Sequence, residues 1–144
     1  IIGDAKKALE FALKQKVSIS PTSEFYVSTV VAKTKPCDIV LVDALLGTGL
    51  KGDVRDPYAR LINQINASEL PVLAVDIPSG LCSDTGKVHG SAVKADLTIT
   101  FIGRKIGLVI GSGAELVGEL VFDNLDIPLD VYTKVPCSKV YDPG

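Results

Sequence analysis

An α/β protein built on a parallel sheet covered by helices is the fold class this sequence predicts. Helix-patterned and strand-patterned segments alternate along its 144 residues, as they do in layered α/β folds. Two runs, Asp38-Ile39-Val40-Leu41-Val42-Asp43 and Pro71-Val72-Leu73-Ala74-Val75-Asp76, are apolar on both faces, the pattern of strands buried under helices. Both runs stop at an aspartate and enter a glycine-bearing turn, Gly47-Thr48-Gly49 after the first and Ile77-Pro78-Ser79-Gly80 after the second. As parallel neighbours they place Asp43 and Asp76 on one carboxyl edge, where open α/β sheets bind ligands. Adjacent strands lie roughly 4.8 Å apart. Two carboxylates that close share a proton, hold a cation or engage a polar ligand.

The elements follow in chain order. Residues 4–15 read as a helix, with Asp4 as N-cap and Ala5, Leu9, Ala12 and Leu13 as its apolar stripe. Val17 to Ser20 reads as a short strand. Residues 22–33 read as a helix whose propensity is weakened by Val27, Val30 and Val31. Residues 38–43 are strand and 47–56 a glycine-containing loop. A helix over 56–67 takes Asp56 as cap and Pro57 at its first position, where a missing N–H costs nothing. Its stripe is Leu61, Ile62 and Ile65. Strands are expected at 71–76 and 95–101, with a glycine-bearing loop over 77–91 between them, and short strands at 107–110 and 119–123.

Composition removes several function classes. The chain is long enough to bury one sizeable core. Its net charge of −2 gives no electrostatic case for nucleic acid. No apolar stretch reaches the roughly 20 residues a membrane span needs. Three cysteines, Cys37, Cys82 and Cys137, lack metal-ligand spacing and fit a reducing, cytoplasmic setting. There is no methionine, the chain enters a helix almost at once, and it closes on Tyr141-Asp142-Pro143-Gly144. We read this as a piece of a longer polypeptide: residues 1–140 form one domain and 141–144 begin a linker.

The chemistry-bearing residues cluster at the two strand ends. A strand-terminal aspartate such as Asp43 also caps turns, so it decides nothing alone. Gly47, Gly49 and Gly52 permit positive φ and close approach of a ligand to backbone N–H groups. Lys51 and Arg55 could meet phosphate there or remain solvated surface charges. In Asp76-Ile77-Pro78-Ser79-Gly80 the proline stiffens the turn. A carboxylate, the Ser79 hydroxyl and fixed carbonyls form an oxygen-rich nest suited to a hard cation. Ser79 is a poor nucleophile candidate: no Gly-x-Ser-x-Gly elbow surrounds it and His89 is the one histidine. His89 reads as a loop residue and Cys82 as a buried, unreactive one.

These residues, in order and spacing, resemble a known family. They are Val42-Asp43-Ala44-Leu45-Leu46-Gly47-Thr48-Gly49-Leu50, Gly52, Arg55 and Pro57, Pro71 to Leu81, Asp84-Thr85-Gly86, Gly90, Ala92, Ala95, Thr98 to Phe101, and Lys105-x-Gly107-Leu108. Over about residues 38–128 they are similar to the YjeF N-terminal domain, the NAD(P)H-hydrate epimerase. The resemblance implies a Rossmann-like three-layer α/β/α fold with a mostly parallel sheet. It implies epimerisation of the R and S forms of hydrated NADH and NADPH (NADHX and NADPHX) in nicotinamide nucleotide repair. A dehydratase, fused or separate, acts on the S form, and a homodimer is expected. Asp43 and Asp76 correspond to catalytic candidates, Asp43 and Ser79 to ligands of a potassium ion. Gly47, Thr48, Gly49, Leu50, Lys51, Gly52 and Asp53, with Asp76, correspond to substrate-binding positions. Asp43 is expected to serve as both cation ligand and catalytic group, Asp76 as the carboxylate that anchors the ligand.

One departure stands out. The family's Gly-x-Gly-Asn-Asn-Gly-Gly-Asp loop, which cradles pyrophosphate and gives an asparagine to the potassium ion, is absent from these 144 residues. That supports a chain lacking the domain's first strands. Two rival readings remain. Relatives of this domain also act as non-catalytic binding or dimerisation scaffolds, which can dispense with the acidic pair. An ordinary NAD(P)-dependent oxidoreductase would need a Gly-x-Gly-x-x-Gly turn, and none occurs.

Overall fold

The computed structural model describes residues 3–134. Four strands form one all-parallel sheet in the order β1-β2-β3-β4: β1 Leu41–Asp43, β2 Val72–Val75, β3 Leu97–Phe101 and β4 Glu119–Asp123. Among the described residues five α-helices accompany them: α1 Asp4–Lys14, α2 Val27–Val31, α3 Tyr58–Ala67, α4 Gly113–Leu116 and α5 Leu129–Lys134. The α/β class and the parallel sheet are as the sequence predicts. Asp43 lies opposite Ala74 in the register of β1 and β2. Asp76 follows β2 two residues beyond Ala74, so both carboxylates leave the carboxyl edge.

One face of the sheet is packed. The α3 stripe of Leu61, Ile62 and Ile65 is buried against Val72 and Ala74 of β2, together with Val27 of α2, Ile39 and Val54. Each such side chain contributes roughly 1.5–3 kcal/mol by leaving water. A smaller cluster of Ile77, Leu81, Leu108 and Val117 continues the core past β2 and β3. On the other face, Val42 of β1 and Val40 just before it are 60% and 62% exposed.

Local differences from expectation have identifiable causes. Asp4 does not cap α1: the N-cap is Gly3, and the Asp4 carboxylate takes Lys7 Nζ at 3.0 Å instead. The α1 stripe meets no core, and none of its residues is buried. Val17–Ser20 is irregular rather than strand, since no neighbouring strand pairs with it. The helix expected over 22–33 is confined to α2, consistent with its β-branched valines. The strand expected from residue 38 starts at Leu41, after a 3₁₀ turn over Pro36–Asp38. Pro57 is the N-cap of α3 rather than its first residue, while Asp56 Oδ1 accepts from Arg60 N at 3.2 Å.

The strand expected at 107–110 is a 3₁₀ turn, Ile106–Leu108. Here glycine is required by crowding: Gly107 donates to Ser83 O at 2.7 Å, and a Cβ on it would collide with the Cys82 carbonyl. α4 and α5 were not anticipated; α4 is a single turn and α5 little more, too short for a periodic signal. The linker expected at 141–144 lies outside the described residues.

Candidate active site

Asp43 ends β1 and is 1% exposed. Its Oδ2 accepts the Ser79 backbone N–H at 2.8 Å. Its Oδ1 accepts the Ser79 hydroxyl at 2.6 Å and Leu45 N–H at 3.3 Å. Ser79 Oγ accepts Leu46 N–H at 2.9 Å and lies 3.2 Å from the Leu46 carbonyl oxygen. The turn after β2 is thereby tied to the turn after β1. Gly80 holds the same turn down: its φ is +90, and a Cβ there would strike the Ser91 carbonyl. Among the described residues no basic side chain pairs with Asp43. A buried carboxylate without a cationic neighbour, ringed by a hydroxyl and a carbonyl, has the donor chemistry of a hard-cation site.

Asp76 is built differently. Its backbone is left-handed, φ 70, a conformation aspartate tolerates better than most residues. Its N–H donates to Ile99 O at 2.7 Å, which locks the turn to β3. Oδ1 accepts Thr100 Oγ1 at 3.2 Å, Phe101 N–H at 3.1 Å and the Lys105 ammonium. Lys105 Nζ also donates to Thr100 Oγ1 and the Phe101 carbonyl, each at 3.1 Å. The two side chains are 33% (Asp76) and 20% (Lys105) exposed. Burial pushes the Asp76 carboxyl up, but the Lys105 hydrogen bond, Phe101 N–H, the Lys105 charge and Thr100 together hold it below its usual value. Asp76 Oδ2 makes no hydrogen bond among the described residues.

The loop from Gly47 to Asp53 leaves the same edge. Gly47, Thr48, Gly49, Lys51, Gly52 and Asp53 are exposed, while Leu50 packs onto the core. Gly52 alone among its glycines takes positive φ, 76. Space is open above all three, with no heavy atom within 4 Å of a built Cβ, so the backbone is accessible to a ligand.

Asp43, Ser79 and the two turns are brought together, and Asp76 shares their edge without sharing a hydrogen bond with them. Sequence reasoning gave Lys105 no role. Lys105-x-Gly107-Leu108 belongs to the resemblance, but that pattern names no partner for the lysine; its neighbour Arg104 lays its guanidinium 5.8 Å over the Phe122 ring. Only the structure shows which cation turns inward. Cys82 is half-buried, and its thiol is drawn down to about 7 by the Thr85 hydroxyl, then by the Asp84 and Thr85 backbones and His89.

Fold and geometry together define an α/β protein whose Asp43, Ser79 and Asp76 gather at the carboxyl edge of a parallel sheet. Comparison with known proteins places it further. A family described as YjeF-related protein N-terminus matches residues 2–107, and the chain belongs to that family. It is 51% identical over 88 residues to the bifunctional NAD(P)H-hydrate repair enzyme Nnr of Coxiella burnetii, covering 61% of this chain and 18% of that one. With the Nnr enzyme of Escherichia coli the identity is 41% over 118 residues, 82% of this chain and 22% of the relative. With the NAD(P)H-hydrate epimerase of Limosilactobacillus fermentum it is 47% over 90 residues, 62% of this chain and 43% of the relative. The chain thus spans less than half the length of these relatives. Among the described residues no helix is long and apolar enough to cross a membrane.

Proposed function

We propose that this chain carries part of the active site of an NAD(P)H-hydrate epimerase, interconverting the R and S forms of NADHX and NADPHX. The carrying observation is the unused Oδ2 of Asp76, an ionised acceptor presented at the ligand edge while Oδ1 is fully engaged. The names of the relatives support the substrate class.

Inverting a ring carbon that bears a hydroxyl breaks and remakes its C–O bond: the hydroxyl takes a proton from solvent and leaves as water, and water returns to the opposite face of the ring cation, releasing a proton to solvent. An aspartate held ionised is a strong acceptor for that hydroxyl and stabilises positive charge that develops on the ring. The same low pKa makes Asp76 a weak proton store at neutral pH, so its part is to anchor and polarise. Asp43 is 1% exposed and already accepts three hydrogen bonds from Ser79 and Leu45. We assign it, with Ser79, to the potassium ion. That ion, when bound, supplies a fixed positive charge beside the substrate. The Gly47–Asp53 loop offers backbone N–H groups and Lys51 to the nucleotide's phosphates. A homodimer, with a dehydratase consuming the S form, completes the proposal.

The test is epimerisation of R-NADHX by the full-length protein, read through consumption by an S-specific dehydratase. Asp76→Asn is expected to lower the rate about 100-fold or more, the scale of an acid–base or oxyanion-type contact. Asp43→Asn is expected to lose comparably through the cation site. Wild-type protein that leaves R-NADHX unchanged ends this reading.

A further inference from the structure

We propose that Lys105 is a positioning residue of this site: its ammonium fixes Oδ1 of Asp76 so that Oδ2 is the one carboxylate oxygen offered to a donor on the ligand. The proposal rests on Asp76 as the ligand contact and adds a residue that acts through it.

Three observations carry it. First, the acceptors of Lys105 Nζ are Asp76 Oδ1, Thr100 Oγ1 and the Phe101 carbonyl. An ammonium has three N–H donors, so none is left for a ligand. Lys105 therefore does not touch substrate; it acts through its partners. Second, the torsion that turns a carboxylate about its Cβ–Cγ bond is broad and roughly two-fold. Left alone, Asp76 would exchange its two oxygens freely. Three donors on Oδ1, from Thr100, Phe101 and Lys105, oppose that exchange. Lys105 is the one charged donor among them, and charge-assisted bonds are the stronger kind.

Third, the lysine's own place is set by the loop that follows Asp76. The 3₁₀ turn Ile106–Leu108 begins immediately after it. Gly107 in that turn donates to Ser83 O at 2.7 Å and sits flush against the Cys82 carbonyl. On the other side, Ile102 turns the chain out of β3 with φ 65. Lys105 is thus held between the end of β3 and the loop leaving β2, and returns its ammonium to the residue where that loop starts. The closed circuit runs Asp76, the 77–83 loop, Gly107, Lys105 and back to Asp76.

The experiment is a double-mutant cycle in the full-length protein: wild type, K105M, D76N and D76N/K105M, each measured for R-NADHX turnover, for calorimetric affinity for R-NADHX and for thermal midpoint. K105M is expected to lower kcat/KM roughly 10- to 100-fold, the range of a hydrogen bond to a charged group. In the D76N background the same change is expected to add less than about a twofold loss, since non-additivity marks residues that work as a unit. K105R, which keeps the charge, is expected to recover part of the loss. If K105M does not fold, K105Q replaces it with the same expected pattern at smaller size.

Equal losses from K105M in both backgrounds, or no loss in the wild-type background, overturn the proposal. If wild type binds R-NADHX but does not interconvert its forms, the epimerase reading fails and the cycle on affinity decides the Lys105 proposal by the same rule. If wild type neither binds nor turns over R-NADHX, both fall.

Discussion

At the end of β1, Asp43 is 1% exposed and all its hydrogen bonds come from its own neighbouring turns. At the end of β2, Asp76 is a third exposed, faces a lysine and leaves one oxygen open. In sequence the two ends look the same: an apolar run, an aspartate, a glycine-bearing turn. The difference comes from what each meets in space. Asp43 meets Ser79, a residue from the neighbouring strand's turn, and is tied into the structure by it. Asp76 meets the end of β3 and Lys105 and becomes a presented acceptor. A shared strand-end pattern thus supplies two carboxylates on one edge, and tertiary neighbours divide the labour between them.

The comparison breaks most visibly in stability. Asp43→Ala strands the Ser79 N–H in a buried place and leaves the Ser79 hydroxyl only the Leu46 carbonyl, and an unsatisfied buried group costs about 1–3 kcal/mol. A loss of about 3 kcal/mol is expected by urea denaturation. Asp76→Asn, at a partly exposed site, is expected to cost under about 1 kcal/mol. Equal losses from the two changes would erase the distinction.

Potassium sharpens it at smaller scale. A cation that binds the folded state raises the unfolding midpoint by mass action. Replacing Li⁺ by K⁺ at constant ionic strength is expected to raise the wild-type unfolding free energy by an amount on the order of 1 kcal/mol, seen as a higher midpoint. Ser79→Ala should flatten that response and Asp76→Asn should leave it intact. A response that survives in S79A removes Ser79 from the cation site.

The smallest expected effect is in pH. The folded-state pKa of Asp76 lies below the usual aspartate value of 3.8. Its contribution to stability is therefore present above that value and is lost as pH falls through the depressed one. Lys105→Met removes the hydrogen bond and the charge that oppose burial. The gap in urea midpoint between wild type and K105M should be open at neutral pH and close as the pH drops below 3.8. A gap that stays constant across that window would mean Lys105 does not hold the charge of Asp76.

The placing of Asp43, Asp76 and Ser79 at one sheet edge is legible in the sequence. They announced themselves because strand ends and Pro-Gly turns are local signals. The parallel sheet was legible because β1 and β2 are apolar on both faces. Lys105 was not, because its role depends on β3 ending beside β2, a pairing no local pattern encodes. The same limit explains Val17–Ser20, which had strand composition but found no partner, and Gly107, whose turn is dictated by the carbonyls of Cys82 and Ser83. The fate of the α1 stripe is likewise tertiary: periodicity predicts a helix, but not what it packs against.

The left-handed backbone at Asp76 has a consequence for how this family can diverge. Only glycine, asparagine and aspartate occupy that region at small cost. A lineage that abandons the chemistry is thus steered toward asparagine or glycine at position 76, not alanine or valine. Loss of catalysis would then leave a mild-looking exchange on an intact scaffold, and the residue at this one position would separate working descendants from retired ones.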